Sequence, residues 1–203
     1  MKLLIATGNR HKFQEISAIL KLPHLVFIGL HDLPSPPVVI EDGVTFEANA
    51  VKKAVQLAQF SGCWTLADDS GLEVEALQGE PGVHSARYAG EPSSDDANNR
   101  KLLEKLAGCH DRRARFRCVI ALSDPSGVAR TVSGVCDGML LNAARGQGGF
   151  GYDPLFVPLG HDLTFAELAP AVKNTLSHRA RALEAAARGW GPYFAQDGAC
   201  SWG

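Results

Sequence analysis

The 203-residue sequence lacks most of what would assign it to a specialised class of protein. Its five cysteines, Cys63, Cys109, Cys118, Cys136 and Cys200, stand apart, with no C-x-x-C pair. An odd, scattered set argues against a disulfide framework or a thiolate zinc site, so reduced thiols are expected. The seven histidines contain no H-x-x-x-H pair, which removes the usual helix-borne histidine metal site. No apolar run approaches the roughly 20 residues of a membrane-spanning helix. The opening Met1-Lys2-Leu3-Leu4-Ile5-Ala6 is too short for the apolar stretch of a secretion signal. Neither sign of charge dominates: the formal net charge is −2, so neither nucleic acid nor a membrane is expected as the main partner. There is no G-x-x-x-x-G-K-[ST] phosphate loop, no internal repeat and no long linker. What remains, 45% hydrophobic and 21% charged residues, can bury a full core. One large domain, or one domain with two lobes, over 1–203 is the expectation, with the cytoplasm as its location.

The periodicities alternate between strand and helix. Leu3–Thr7 reads as a short buried strand, followed by a polar turn and a helical stripe of Phe13, Ile16, Ile19 and Leu20. Residues 31–43 are Pro-rich and extended. A helix is predicted from about Thr45 to Phe60, with Phe46, Ala50, Ala54, Leu57 and Ala58 on one stripe and Asn49 and Lys53 beside it. Another spans about Ser94 to Ala107, closed by Gly108. Arg115–Gly138 reads as a hairpin turning at Asp124-Pro125-Ser126-Gly127. One last helix carries Leu176, Ala180, Leu183 and Ala187, and residues 189–203 are predicted irregular. The order implies a mixed α/β fold.

Two apparent motifs carry less than they promise. Gly146-Gln147-Gly148-Gly149-Phe150-Gly151 matches G-x-G-x-x-G but precedes a strand, where a dinucleotide fingerprint should open a helix. Arg112-Arg113-Ala114-Arg115-Phe116-Arg117 resembles a nucleic-acid patch. On a strand, however, Arg115 and Arg117 share one face and Phe116 and Cys118 the other, which describes a solvated sheet face or subunit edge.

A more informative set survives. In Leu66-Ala67-Asp68-Asp69-Ser70-Gly71 two adjacent acids follow an apolar strand, expected where a sheet meets a loop. Thr7-Gly8-Asn9-Arg10-His11-Lys12 joins a strand to a helix, where free N–H groups favour an anion. Lys12 adds a cation in the first turn, where the helix dipole disfavours one. Phe150-Gly151-Tyr152-Asp153 is a glycine loop bearing an aromatic pair suited to base stacking. Lys173 and Ser177-His178-Arg179 place donors at the start of the last helix, and Glu41 is a third carboxylate. Phosphate-seeking donors, carboxylates fit for Mg²⁺ and an aromatic loop together describe a nucleoside triphosphate site.

With ATGNRHKFQE, GVTFEANAVKKA, LADDSGLEVEALQGEPGVHSARYAG, GGFGYDPLFVP and VKNTLSHRARAL in this order over residues 3–183, the chain resembles the inosine triphosphate pyrophosphatase family. That family hydrolyses nonstandard purine triphosphates such as ITP, dITP and XTP. The resemblance implies an elongated mixed sheet with flanking helices, two lobes around a nucleotide cleft and a homodimer. Carried over by position, it implies that Thr7, Gly8, Asn9, Arg10, His11 and Lys12 hold the triphosphate. Asp69 would be the general base, with Glu41 and Asp69 at Mg²⁺. Lys53, Ser70, Phe150, Gly151, Tyr152, Asp153, Lys173, His178 and Arg179 would contact the nucleotide. Two departures stand out: Arg10-His11 replaces a small residue common in the first loop, and Ala171-Val172 replaces two acids before Lys173-Asn174.

Two other readings compete, a nucleotide-binding regulatory module without turnover and a nucleic-acid binder built on the arginine run. The residues alone leave open which of Asp68 and Asp69 is the base. His178 and Arg179 are expected to read the 6-oxo group of the base. On that expectation Arg179→Ala lowers kcat/KM for dITP far more than for dATP.

Overall fold

The computed structural model describes residues 1–22 and 25–194. Among these, six strands form one mixed sheet in the order β2-β1-β3-β4-β5-β6. They are β1 (Lys2–Ile5), β2 (Val26–Gly29), β3 (Trp64–Val74), β4 (Arg113–Ser123), β5 (Ala129–Leu140) and β6 (Phe156–Pro158). β1 pairs parallel with β2 and β3, whereas β5 and β6 are antiparallel. The helices are α1 (Arg10–Ile19), α2 (Phe46–Ser61), α3 (Asp95–Lys105), α4 (Pro170–Leu176) and α5 (His178–Phe194). The α/β fold with a mixed sheet and flanking helices is therefore as the sequence implied.

The chain divides into two compact units. Unit 1 takes Met1–Asp69, Cys118–Gly134 and the chain from Arg179 onward; unit 2 takes Ser70–Arg117 and Val135–His178. The core of unit 1 joins Leu3 and Ile5 of β1, Ile16 of α1, Leu66 of β3, Ile120 and Leu122 of β4, and Leu183, Trp190 and Phe194 of α5. The core of unit 2 joins Leu72 and Val74, Leu102 of α3, Phe116, Tyr152, Phe156 and Phe165. Burying each large apolar side chain contributes about 1.5–3 kcal/mol, which fixes the elements these residues ride on.

Local signals set most boundaries. Asn9 caps α1, its side chain accepting from the N–H groups of His11 (2.9 Å) and Lys12 (3.3 Å). Thr45 caps α2 through Ala48 N–H at 3.1 Å, and Gly62 ends it with a left-handed φ of 62°. Ser94 caps α3 through Ala97. The β4–β5 connection closes at Asp124, whose carbonyl accepts from Gly127 N–H at 3.0 Å.

Four expectations need correction. The two acids are not at a strand end, because β3 runs unbroken from Trp64 through Asp68-Asp69-Ser70-Gly71 to Val74. Turn propensity is overridden there by the strand's place beside β4, since the pairing with β1 ends at Leu66. The single last helix is two, parted at Ser177, whose backbone is extended (φ −66°, ψ 159°). Residues 189–194 of the expected irregular tail are helical; the rest of it, 195–203, lies outside the described residues. Gly189, Gly191 and Pro192 disfavour helix by roughly 1 to 3 kcal/mol each. Trp190 and Phe194, 5% and 0% exposed, offset that cost by joining the core of unit 1. Finally, Cys63 is disulfide-bonded, whereas Cys109, Cys118 and Cys136 are free thiols as expected.

Three of the four arginines of the run are engaged within unit 2. Arg112 is buried and donates to the carbonyls of Leu106, Leu140 and Leu141, while Arg113 pairs with Asp111 and Arg115 with Glu73. No helix among the described residues is long and apolar enough to cross a membrane.

Burial pushes the Cys118 thiol up to about 12, so it stays protonated and unreactive at pH 8. Exposed Cys109 should be alkylated by iodoacetamide in the native protein, and Cys118 and Cys136 only after denaturation. Mass spectrometry of labelled peptides checks this; native labelling of Cys118 would contradict the packing described.

Candidate active site

In unit 1 the site grows from β3. Successive side chains of a strand project to opposite faces, so neighbouring Asp68 and Asp69 meet different partners. Asp68 is 1% exposed and accepts from Arg179 Nη2 at 2.9 Å and Nε at 3.3 Å. Lys12 Nζ lies 3.1 Å from the same carboxylate. Asp69, 6% exposed, accepts from Asn49 Nδ2 at 3.0 Å. Asn49 also takes Gly43 N–H on its Oδ1 at 2.7 Å, tying the end of the Pro-rich segment to the acid. One turn further along α2, Lys53 pairs with Glu41 at 3.0 Å.

These partners separate the two acids electrically. Burial by itself would raise Asp68, but Lys12, Arg179 and Lys53 outweigh it and hold the carboxyl well below the usual carboxylate range. Burial also dominates at Asp69 and pushes it up to about 6, against the pull of Lys12, Lys53 and the Asn49 hydrogen bond; Glu41 adds to the rise. The two adjacent carboxylates thus have pKa values driven apart by their surroundings. Asp68 is a permanent anion, and Asp69 is the one able to exchange a proton near neutrality.

The strand–helix loop takes part differently from the expectation. Gly8, Asn9, Arg10 and His11 are exposed, with Thr7 half-buried beside them. Two of the amides expected to serve an anion, those of His11 and Lys12, are already taken by Asn9 Oδ1. Arg179 also departs from expectation. Its guanidinium is 1% exposed and is engaged by Asp68 and, through Nη1, by Glu15, so it organises the acids instead of facing a base. Glu15 and Asn49 belong to no motif that marks them as site residues in the sequence. Their signal was spacing: Glu15 stands three residues after Lys12, and Asn49 four before Lys53.

Unit 2 holds the second group. Asp153 is buried, and its Oδ2 accepts from Phe150 N–H at 2.9 Å and pairs with Lys173 Nζ at 2.5 Å. The Lys173 ammonium stands 4.9 Å from the centre of the Phe150 ring, a cation–π contact. A side chain at Gly149 would strike Asp153 Oδ2 at 2.0 Å, which explains glycine there. His178 stacks on Phe116, with centroids 4.8 Å apart and planes at 13°. Tyr152 is a core residue and not half of a stacking pair: it is 3% exposed and donates its hydroxyl to Ser85 O at 2.9 Å. Ser85 Oγ in turn accepts from Leu72 N–H at 2.9 Å, and a Cβ at Gly71 would meet that oxygen at 2.3 Å. Ser70, half-buried, begins this unit.

No group of three or more His, Cys, Asp or Glu suited to a metal occurs among the described residues. Glu41 and Asp69 nevertheless fit a hard divalent cation that keeps several waters, which needs only one or two carboxylates. Burial is the larger cause of the rise at Asp69, and Glu41 adds a repulsion that such a cation relieves.

An α/β fold with buried acids matched by lysines and arginine, and with an aromatic glycine loop, has the parts of a nucleotide-handling protein. The chain belongs to the Ham1 family, whose model matches residues 3–188. It is 50% identical over 188 residues to a dITP/XTP pyrophosphatase of Desulforamulus reducens, covering 92% of this chain and 94% of that one. A dITP/XTP pyrophosphatase of Geobacter sulfurreducens is 52% identical over 184 residues, with 90% and 92% covered. Among solved structures, the Staphylococcus aureus Ham1 protein matches with a TM-score of 0.86 at 40% identity, covering 95% of this chain and all of that one.

Removing one member of a buried ion pair typically costs about 3–5 kcal/mol, because the other charge is left uncompensated. Arg179→Ala should therefore lower the melting temperature by roughly 10 °C. Adding Asp68→Asn should recover part of that loss in a double-mutant cycle. Additive losses would mean that the pair contributes no coupling.

Proposed function

We propose that this protein is a nucleoside triphosphate pyrophosphatase that hydrolyses nonstandard purine nucleotides, dITP, ITP and XTP, to monophosphate and pyrophosphate. This clears the nucleotide pool of bases that would otherwise enter DNA or RNA. The observation that carries the reading is the unlike environment of Asp68 and Asp69, supported by relatives of about half identity named dITP/XTP pyrophosphatases. A regulatory module without turnover has no need for a carboxylate poised to move a proton.

In this reading Asp69 accepts a proton from water as the water oxygen attacks the α-phosphorus. The bond from the α-phosphorus to the bridging oxygen breaks, and pyrophosphate leaves. Lys12 and Lys53 offset the growing charge on the phosphates, where preorganised cations stabilise the transition state. Asp68, held ionised by Arg179, keeps Lys12 in place. Thr7, Gly8, Asn9, Arg10 and His11 meet the triphosphate, and Ser70 contacts the nucleotide. Glu41 and Asp69 would hold Mg²⁺, which when bound neutralises phosphate charge and makes water a better nucleophile. Asn49 orients Asp69 by its hydrogen bond. In unit 2 the Phe150 ring, backed by Lys173 and the Gly151-Tyr152-Asp153 loop, stacks on the base, and His178 reads its edge. The two units act as one catalytic domain, and the same reading includes a cytoplasmic homodimer.

The direct test is incubation with dITP, XTP and the standard triphosphates plus Mg²⁺, measuring pyrophosphate and monophosphate. Release of orthophosphate would show γ-cleavage and overturn the mechanism. Asp69→Asn should lower kcat by at least about 10²-fold, with the fold intact by circular dichroism and no full recovery in excess Mg²⁺. The raised pKa sets the sign of the pH response: Asp69 is an active base above about 6 and loses that role as pH falls through it. At low Mg²⁺, kcat/KM should fall on the acid side of about 6, and higher Mg²⁺ should move that limb to lower pH. Because Arg179 serves Asp68, Arg179→Lys should lower kcat/KM for dITP and dATP by the same factor. A loss confined to dITP would restore it to base reading.

A further inference from the structure

The loop that presents Phe150 is held by a helix that no motif in the sequence marks. On α3, Asp95 and Asn99 stand four residues apart and so share one face. Asp95 Oδ2 accepts from Gly151 N–H at 2.7 Å, and Asn99 Nδ2 donates to Gly151 O at 2.9 Å. One residue of the loop is thus gripped at both its backbone donor and its acceptor. Gly151 has a left-handed φ of 61°, a conformation the loop needs outside help to keep uniquely. On either side, Phe150 N–H is taken by Asp153, and the Tyr152 hydroxyl by Ser85.

Asn99 shows that this grip has a cost. Among the described residues its Oδ1 is buried without a hydrogen-bond partner, so the amide is oriented for Gly151 O at the expense of its own acceptor. An unsatisfied buried acceptor in a native protein calls for a reason, and the loop supplies it. The docking of α3 does not depend on either residue. Asn98 binds Ala86 O (3.0 Å) and Ala89 N–H (2.7 Å), and Leu102 is fully buried.

We propose that Asp95 and Asn99 are positioning residues: a clamp from α3 that fixes the Phe150–Asp153 loop in its base-stacking form and thereby sets affinity for the purine. The inference rests on the reading of that loop given under Proposed function. It also has a competing explanation, since Asp95 and Asp96 lie in the first turn of α3, where any acid favours the helix dipole. Asparagine at 95 separates the two roles, because it keeps an acceptor for Gly151 N–H and loses the charge.

The experiment compares the wild type with Asp95→Ala, Asp95→Asn and Asn99→Ala, with two readouts. Hydrogen–deuterium exchange of the peptide containing Gly151, in the free protein, should speed up about five- to tenfold in both alanine variants and stay near wild type in Asp95→Asn. KM for dITP should rise by about the same factor in the alanine variants, with kcat within about twofold and Asp95→Asn again near wild type. Asp95→Asn behaving like Asp95→Ala in both readouts would overturn the clamp in favour of helix-end charge. Unchanged exchange in the alanine variants would overturn it outright. Faster exchange with unmoved KM would overturn its role in binding the base. If the wild type fails to hydrolyse dITP, the proposed function falls, and exchange still judges the clamp.

Discussion

The candidate site depends on a buried carboxylate that must stay charged. Asp68 sits at 1% exposure in the middle of β3, where an unpaired anion would be prohibitive. Lys12 from the first turn of α1 and Arg179 from the start of α5 make it tolerable, and Glu15 in turn balances Arg179. Four charges thus tie one strand to two helices inside unit 1. The neighbouring acid fares differently: burial raises the pKa of Asp69 by more than Lys12, Lys53 and the Asn49 hydrogen bond lower it. The adjacency of the two acids is therefore resolved by the fold itself. The protein's own cations absorb one charge and leave the other adjustable.

The second unit follows a different rule, that of backbone presentation. Its loop from Phe150 to Asp153 is fixed at nearly every polar point, by Asp153, Ser85, Asp95 and Asn99. Tyr152 is spent as a core residue so that Phe150 can be the aromatic that the loop offers. The SARYAG and ADDSG segments meet for the same structural reason. Ser85 reaches Leu72 N–H only because Gly71 leaves room, and a methyl there would sit 2.3 Å from its hydroxyl. Conformational entropy makes such ordering costly at about 1–2 kcal/mol per residue, and many small hydrogen bonds share that cost.

Much of this was legible beforehand because it is local. Cap residues at Asn9, Thr45 and Ser94, the left-handed Gly62, and the apolar stripe of α2 follow from side-chain chemistry within a few residues. The motif residues Lys12, Lys53, Glu41, Asp69, Phe150, Asp153 and Lys173 could be picked out as chemically unusual in their settings. Their grouping was less visible. Nothing in the spacing placed Asn49 against Asp69, twenty residues away, or Asp95 against Gly151, fifty-six away.

Where local and global preferences conflicted, tertiary structure decided. Asp-Asp-Ser-Gly has turn chemistry yet forms strand, because β3 runs on beside β4 past the end of its pairing with β1. Gly189, Gly191 and Pro192 disfavour helix, yet α5 continues because Trp190 and Phe194 gain more by burial. Arg179 looks like a donor for a ligand in sequence, and its role emerges only when Asp68 and Glu15 are brought to it from 111 and 164 residues away. The sequence by itself determined the fold class, most element boundaries and the chemical inventory of the site, since these rest on periodicity and residue type. Only the tertiary structure decided which acid is neutralised and which can take a proton, because a carboxylate's pKa is set by its burial and by the charges and hydrogen bonds around it, not by its neighbours in the chain.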